Sequence, residues 1–170
     1  LAVQMRHVNR FGLSPAPVKA SDFPHVMERL RRICAEISHH DSAKRYRDEM
    51  GVDMFIGEAR FSGPDTVEVD GKTLRFKKAV IATGARAVHP REEGLDEVGF
   101  RTNETIFNLT ELPRHLIVIG GGPIGCELAQ AFRRLGSEVS VVQRGRFLPK
   151  EDPDASTLIA RVFEREGIRV

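Results

Sequence analysis

An α/β fold is the prediction for these 170 residues, and three observations carry it. Two continuous apolar runs, Ala79-Val80-Ile81-Ala82 and Leu116-Ile117-Val118-Ile119, have the composition of strands buried on both faces. The second runs straight into Gly120-Gly121-Gly122-Pro123-Ile124-Gly125, after which helical periodicity begins at once. Ahead of both, residues 66–76 alternate in period two around Asp70-Gly71, the mark of an antiparallel hairpin.

The elements follow in order. Residues 1–20 read as irregular because Gly12, Pro15 and Pro17 interrupt any period. A helix starts near Ser21 or Asp22, either of which can cap it, and Val26, Leu30, Ile33 and Ile37 fall on one face. His39 and His40 close it at the negative pole of the helix dipole. Asp41 or Ser42 caps a second, short helix that ends at Gly51. Met54-Phe55-Ile56 is a short apolar run, Thr66-Val67-Glu68-Val69 a strand, and residues 73–76 its returning partner. Residues 85–113 form a connector rich in Pro, Gly and charge, closed by Pro113. After the glycine turn, Pro123 takes the first helical position, where its missing N–H costs nothing. Ile124, Leu128, Ala131 and Leu135 mark that helix's buried face, and Gly136 ends it. Residues 139–142 are the next strand. Pro153 opens a last helix with Leu158, Val162 and Phe163 inward, which stops at Gly167. Ile168-Arg169-Val170 reads as the start of a further strand, so the sequence is expected to be the middle of a longer enzyme.

Composition narrows the function classes. With 41% hydrophobic and 29% charged residues the chain is globular rather than disordered. A net charge of +2, from 26 basic and 24 acidic side chains, argues against a nucleic-acid or membrane-surface protein. No apolar run approaches the ~18 residues of a membrane-spanning helix. Cys34 and Cys126 cannot make a disulfide scaffold, suit the cytoplasm, and read as small buried residues without reactivity. The basic clusters Arg29-Leu30-Arg31-Arg32 and Lys44-Arg45-Tyr46-Arg47 read as solvated helix faces. Adjacent on a helix, His39 and His40 point apart, so no metal site is predicted there or elsewhere.

The chemistry lies in Gly120-x-Gly122-x-x-Gly125. In a strand–turn–helix setting the first glycine permits the tight turn, the second lets a pyrophosphate approach the backbone, and the third lets helix and sheet pack closely. Free N–H groups at the helix start, aided by its dipole, attract phosphate. Residues Gly120, Gly121, Gly122, Pro123, Ile124 and Gly125 are therefore read as a dinucleotide site. The end of the next strand bears on which dinucleotide. A carboxylate there receives the ribose hydroxyls and favours NAD, whereas this chain has Gln143, then Arg144 and Arg146. Gln does not repel a 2′-phosphate and guanidinium groups can hold one, so the sequence leans to NADP, with NAD the alternative.

The stretch 116–132, with Ile-Gly-Gly-Gly-Pro-Ile-Gly-Cys-Glu-Leu-Ala inside it, resembles the NAD(P) domain of the flavin-dependent pyridine nucleotide–disulfide oxidoreductases. Ala79-Val80-Ile81-Ala82-Thr83-Gly84-Ala85 resembles that family's second flavin motif, and Gly57-Glu58-Ala59 its strand segment beside the flavin adenine. Gln143-Arg144, residues 147–153 and residues 103–107 are most similar to mercuric-reductase-type members, with dihydrolipoamide-dehydrogenase-like members the near neighbours. The resemblance implies a partial FAD-binding domain with a β-meander over residues 1–113, then the first βαβ unit of a Rossmann-like NAD(P)-binding domain over 114–170. It implies FAD and NADP as cofactors, small-molecule nucleotides as partners, and a homodimer for the whole protein. It places Ala59 near adenine, Ala82, Thr83 and Gly84 against the flavin nucleotide, and Pro123 and Ile124 beside the nicotinamide. Glu127 would face the nicotinamide amide and the flavin region. Three parts of the family pattern do not occur here: the first, glycine-rich FAD turn, the Cys pair separated by four residues, and the C-terminal His and Glu. No catalytic residue is therefore assigned within these residues, and the segment alone is expected to be inactive. The alternatives are a non-catalytic nucleotide-binding module and a transhydrogenase-like flavoprotein without a redox disulfide.

Overall fold

Residues 8–11, 22–88 and 90–170 are described by a computed structural model. Gly12, Pro15, Pro17, Ser21 and His89 lie outside them. Among the described residues there are four α-helices, α1 (Phe23–His40), α2 (Ala43–Asp48), α3 (Pro123–Leu135) and α4 (Pro153–Glu166). Five strands accompany them: β1 (Ala59–Gly63), β2 (Thr66–Val69), β3 (Lys72–Arg75), β4 (His115–Ile119) and β5 (Glu138–Val142). Short 3-10 turns occupy Val8–Phe11 and Ile106–Asn108. The chain divides into two compact units, one of residues 32–98 and one of residues 1–31 with 99–170.

The first of these holds the β-meander. Strands β1, β2 and β3 pair antiparallel in chain order. Asp70 (φ 48°) and Gly71 (φ 73°) form the two-residue turn joining β2 to β3, where positive φ at both positions matches the twist of the strands. Arg75 reaches Asp65 at 2.8 Å across the β1–β2 turn. Ser42 caps α2, its Oγ accepting the Arg45 N–H at 3.2 Å.

Residues 79–82 depart from expectation. They form no strand, and Val80 and Ile81 are 89% and 72% exposed. An apolar run becomes a strand only by pairing its backbone groups, and no described strand runs beside this one. Residues 54–56 are likewise unpaired, with Lys72 Nζ 5.7 Å from the Phe55 ring centroid.

The other unit is a βαβ arrangement. β4 and β5 are parallel, with Leu116 opposite Val139 and Val118 opposite Val141. Arg169 continues the sheet, its N–H donating to the Val139 carbonyl at 3.0 Å and its carbonyl accepting from Val141 at 2.8 Å. The neighbour order is thus β4, β5, residue 169, which follows chain order as in one half of a doubly wound sheet. Cys126, Ala129 and Phe132 of α3 pack with Val139, Val141, Phe147, Phe163 and Ile168 in one core, joined by Phe23 and Met27 of α1. Glu166 ties α4 to α3 through Arg134 (2.7 Å) and Gln130 (3.0 Å), and its carbonyl accepts from Arg133 (2.7 Å). The Asp152 carboxylate caps α4 at the Asp154 N–H, 2.8 Å, and Gly167 ends it with φ 73°.

Burial corrects several faces. β4 is covered on one side only: Leu116 and Val118 are half-buried and pack with the core, but Ile117 is 60% exposed, along with Ile119 and Val142, on the face away from it. In α1 the buried residues are Phe23 and Met27 rather than Val26 and Ile37, since Phe23 packs on Phe132 with ring centroids 5.9 Å apart. In α3, Ile124 and Ala131 face outward and the buried residues are Cys126, Ala129 and Phe132. Leu158 of α4 is exposed, and Ser156 and Phe163 are buried. Periodicity finds a helix, but the partner it meets decides which stripe is covered. Cys34, expected buried, is exposed.

Candidate functional site

The turn between β4 and α3 consists of glycines because side chains do not fit it. Gly120 has φ 107°, a conformation that L side chains rarely adopt, and its N–H donates to the Val142 carbonyl at 2.9 Å, so β5 holds the turn's first residue. A Cβ on Gly125 would run into the Gly120 carbonyl oxygen and lie 3.4 Å from Val118 Cγ1. The helix can therefore meet the strand this closely only with hydrogen at residue 125. At Gly122 a Cβ would meet nothing within 4 Å: this is the open side of the turn.

The helix start is poised for an anion. Gly122 is the N-cap of α3 and supplies no side-chain acceptor. Pro123 has no N–H, and the Cys126 N–H makes the first intrahelical bond, to Gly122 at 2.9 Å. The Ile124 and Gly125 N–H groups precede that bond and are first-turn donors without an intrahelical acceptor. These residues fit the pyrophosphate of a dinucleotide. Pro123, Ile124 and Glu127 are all exposed around this end of α3.

The loop after β5 folds back onto the turn. Gln143 Oε1 accepts the Gly121 N–H at 2.7 Å, and its Nε2 donates to the carbonyls of Arg144 (3.0 Å) and Arg146 (3.5 Å). The Leu148 N–H donates to the Gly121 carbonyl at 2.8 Å, and the Phe147 ring occupies the space a Cβ on Gly121 would need. Leu148 keeps φ at 46°, which costs a non-glycine residue about 1–3 kcal/mol. Arg146 is exposed, and its Nη2 donates to the carbonyls of Pro149 (2.9 Å) and Glu151 (3.2 Å). Arg144 is exposed, and its guanidinium makes no hydrogen bond or ion pair among the described residues. Of the two arginines, then, Arg144 alone has a guanidinium with no partner among the described residues, and Arg146 has its Nη2 engaged. Phe147 and Leu148 escaped the reading of single residues as site residues; the signal was an apolar pair set in an otherwise charged loop, Arg144-Gly145-Arg146-Phe147-Leu148-Pro149-Lys150.

In the unit of residues 32–98, Ala59 opens β1 opposite Val69 and is exposed. Ala82, Thr83 and Gly84 are exposed in non-strand chain, Gly84 with φ 70° and open space at its Cβ position. Small residues with accessible backbone suit the flank of a flat group. Among the described residues no group of three or more His, Cys, Asp or Glu is placed to hold a metal. No helix among them is long and apolar enough to cross a membrane.

Cys126 Sγ lies 3.5 Å from the Gly121 carbonyl oxygen, under the turn. Burial, and then the neighbouring Glu127 carboxylate, pushes its thiol up. The thiolate is the nucleophile, so a raised pKa leaves less of it at neutral pH. With iodoacetamide, Cys34 is expected to alkylate at least about tenfold faster than Cys126, as read by peptide mass spectrometry, with the Cys126 rate rising as pH rises.

Known proteins match this arrangement. The sequence matches the family described as "Pyridine nucleotide-disulphide oxidoreductase" over residues 3–170. The chain belongs to that family. A mercuric reductase of Streptomyces lividans is 35% identical over 181 residues, covering 99% of this chain and 37% of that protein. A dihydrolipoyl dehydrogenase of Mycoplasma pneumoniae is 31% identical over 171 residues, covering 98% of this chain and 37% of that one. Among solved structures, the Cu(II) complex of the HOCl-induced flavoprotein disulfide reductase RclA from Escherichia coli superposes with a TM-score of 0.74 at 27% identity, over 99% of this chain and 37% of RclA. The chain thus spans about two fifths of the length of these relatives.

Proposed function

We propose that the complete protein is an FAD-dependent NADPH oxidoreductase of the disulfide reductase type, similar to mercuric reductase. Residues 114–170 would hold the pyridine nucleotide, and residues 1–113 would contribute Ala59, Ala82, Thr83 and Gly84 to the flavin site. The observation that carries this reading is the glycine turn itself: Gly125 closed against the Gly120 carbonyl, Gly122 open, and a helix start without a side-chain cap. A bound NADPH would supply hydride-donating chemistry and a bound FAD the capacity to accept it and pass the electrons on. The chain's own work is positioning. The Ile124 and Gly125 N–H groups receive the pyrophosphate, Pro123 and Ile124 flank the nicotinamide, and Glu127 orients its carboxamide. The same reading makes the complete protein a cytoplasmic homodimer.

The preference for NADPH rests on the absence of a carboxylate at residue 143 and on the available guanidinium of Arg144. Arg144→Glu in the complete protein is expected to weaken NADPH about ten- to a hundredfold, the loss of one charge-assisted contact, and to change NADH by no more than about twofold. Stopped-flow flavin reduction with each nucleotide measures both. Equal weakening of the two would overturn the 2′-phosphate role.

A further inference from the structure

We propose that Gln143 is a positioning residue: with Phe147 and Leu148 it locks the pyrophosphate turn to the loop that carries Arg144, and it does not read the 2′ position of the nucleotide. This deepens the nucleotide-binding reading above and rests on it. The argument starts from the amide's orientation. Gln143 Oε1 faces an N–H, that of Gly121, and Nε2 faces two carbonyls, those of Arg144 and Arg146. Flipping the amide would set donor against donor and acceptor against acceptors, so the orientation is settled by its partners. One Nε2 hydrogen is then committed to the Arg144 carbonyl at 3.0 Å, and the other faces the Arg146 carbonyl at 3.5 Å. A 2′-phosphate offers only acceptors, and the Nε2 hydrogens of Gln143 already face carbonyls on its own loop.

The other half of the argument is Gly121. Its N–H is taken by Gln143, and its carbonyl accepts from Leu148 N–H at 2.8 Å and Cys126 Sγ at 3.5 Å. The Phe147 ring closes on its Cα. Leu148 holds a left-handed φ of 46° while its N–H makes the bond to Gly121, and its carbonyl accepts Ser156 Oγ at 3.4 Å. Residues 143–148 therefore hold Gly121 through both its N–H and its carbonyl, in the peptide groups before and after its Cα. The pyrophosphate turn and the loop beside the adenosine ribose move as one body, and releasing Gln143 should disturb the part of the site that NADP and NAD share.

The test uses the complete flavoprotein, with calorimetric titration of NADP⁺ and NAD⁺ and amide hydrogen exchange at Gly121 without nucleotide. Gln143→Met is expected to raise both dissociation constants by a similar factor, roughly three- to tenfold for one lost hydrogen bond, and to speed Gly121 exchange. Gln143→Glu keeps an oxygen for the Gly121 N–H but sets its other oxygen against the Arg144 and Arg146 carbonyls, so it is expected to speed Gly121 exchange less than Gln143→Met does and to weaken both nucleotides, NADP⁺ the more because of its charge. Should Gln143→Met fail to fold, the exchange and NAD⁺ affinity of Gln143→Glu decide the matter alone. Loss of NADP⁺ affinity only in Gln143→Met, or unchanged Gly121 exchange, would overturn the positioning role. If the unaltered protein binds neither nucleotide, the functional reading fails, while Gly121 exchange still reports whether the lock exists.

Discussion

Gly125→Ala is expected to cost the protein both stability and nucleotide binding, whereas Gly122→Ala should cost binding alone. At residue 125 the added methyl meets the Gly120 carbonyl oxygen, which is backbone and cannot rotate away. Either α3 lifts from β4 or the turn deforms. Overpacking of this kind costs about 1–3 kcal/mol, and here the same displacement moves the first-turn N–H groups off the phosphate. At residue 122 the added methyl projects into open space and leaves the fold as it is. It instead occupies the side on which the pyrophosphate would approach. Thermal unfolding and calorimetric titration with NADP⁺ separate the two. The expected pattern is a lower Tm with weakened binding for Gly125→Ala, and an unchanged Tm with binding weakened about tenfold or more for Gly122→Ala, since a blocked close approach forfeits at least one charge-assisted hydrogen bond. Normal affinity in Gly122→Ala would mean that the nucleotide does not lie over this turn.

The contrast between the two glycines also marks how far the sequence could be read. Local chemistry was legible. Asp70-Gly71 is a hairpin turn, Pro123 and Pro153 open helices, Gly136 and Gly167 close them, and Gly120 turns with positive φ. Each of these follows from what one or two residues can adopt. Sidedness was not legible. Ile117, Ile119 and Val142 are as apolar as Leu116 and Val141, yet only the second set meets α3. Residues 79–82 have strand composition without a described strand to pair with. Burial is a property of what lies opposite, and a single sequence does not state that.

The candidate site divides in the same way. Its glycines follow a local spacing and were found from it. Gln143 was noticed for the carboxylate it is not, and the structure joins it to Gly121, 22 residues earlier. Arg144 and Arg146 look equivalent in sequence, but Arg146 has its Nη2 held by the Pro149 and Glu151 carbonyls. These differences arise from chain reversal after β5, a tertiary event for which Phe147 and Leu148 are responsible.

That reversal makes Phe163 the core residue whose loss should be felt in the site. Phe163 is 1% exposed and stands edge-on to Phe147, with ring centroids 5.4 Å apart. Phe147 in turn presses on Gly121. Phe163→Ala removes the support beneath Phe147 and leaves a cavity, for a loss of about 3–5 kcal/mol in unfolding free energy. Phe147 can relax into that space, which withdraws its ring from Gly121, so weaker nucleotide binding is expected to accompany the loss of stability. Phe132→Ala supplies the comparison. Phe132 is also buried, but it lies in the last turn of α3 and packs on Phe23, away from the glycine turn. Its truncation should cost a similar 3–5 kcal/mol and leave the affinity of the folded protein for NADP⁺ nearly unchanged. Denaturant unfolding gives the first quantity, and titration under conditions where each variant remains folded gives the second. If both variants lost affinity equally, global loosening rather than the Phe163–Phe147–Gly121 stack would connect core and site. A loss confined to Phe163→Ala would show that the aromatic pair behind the loop sets the geometry in which the glycine turn meets its nucleotide.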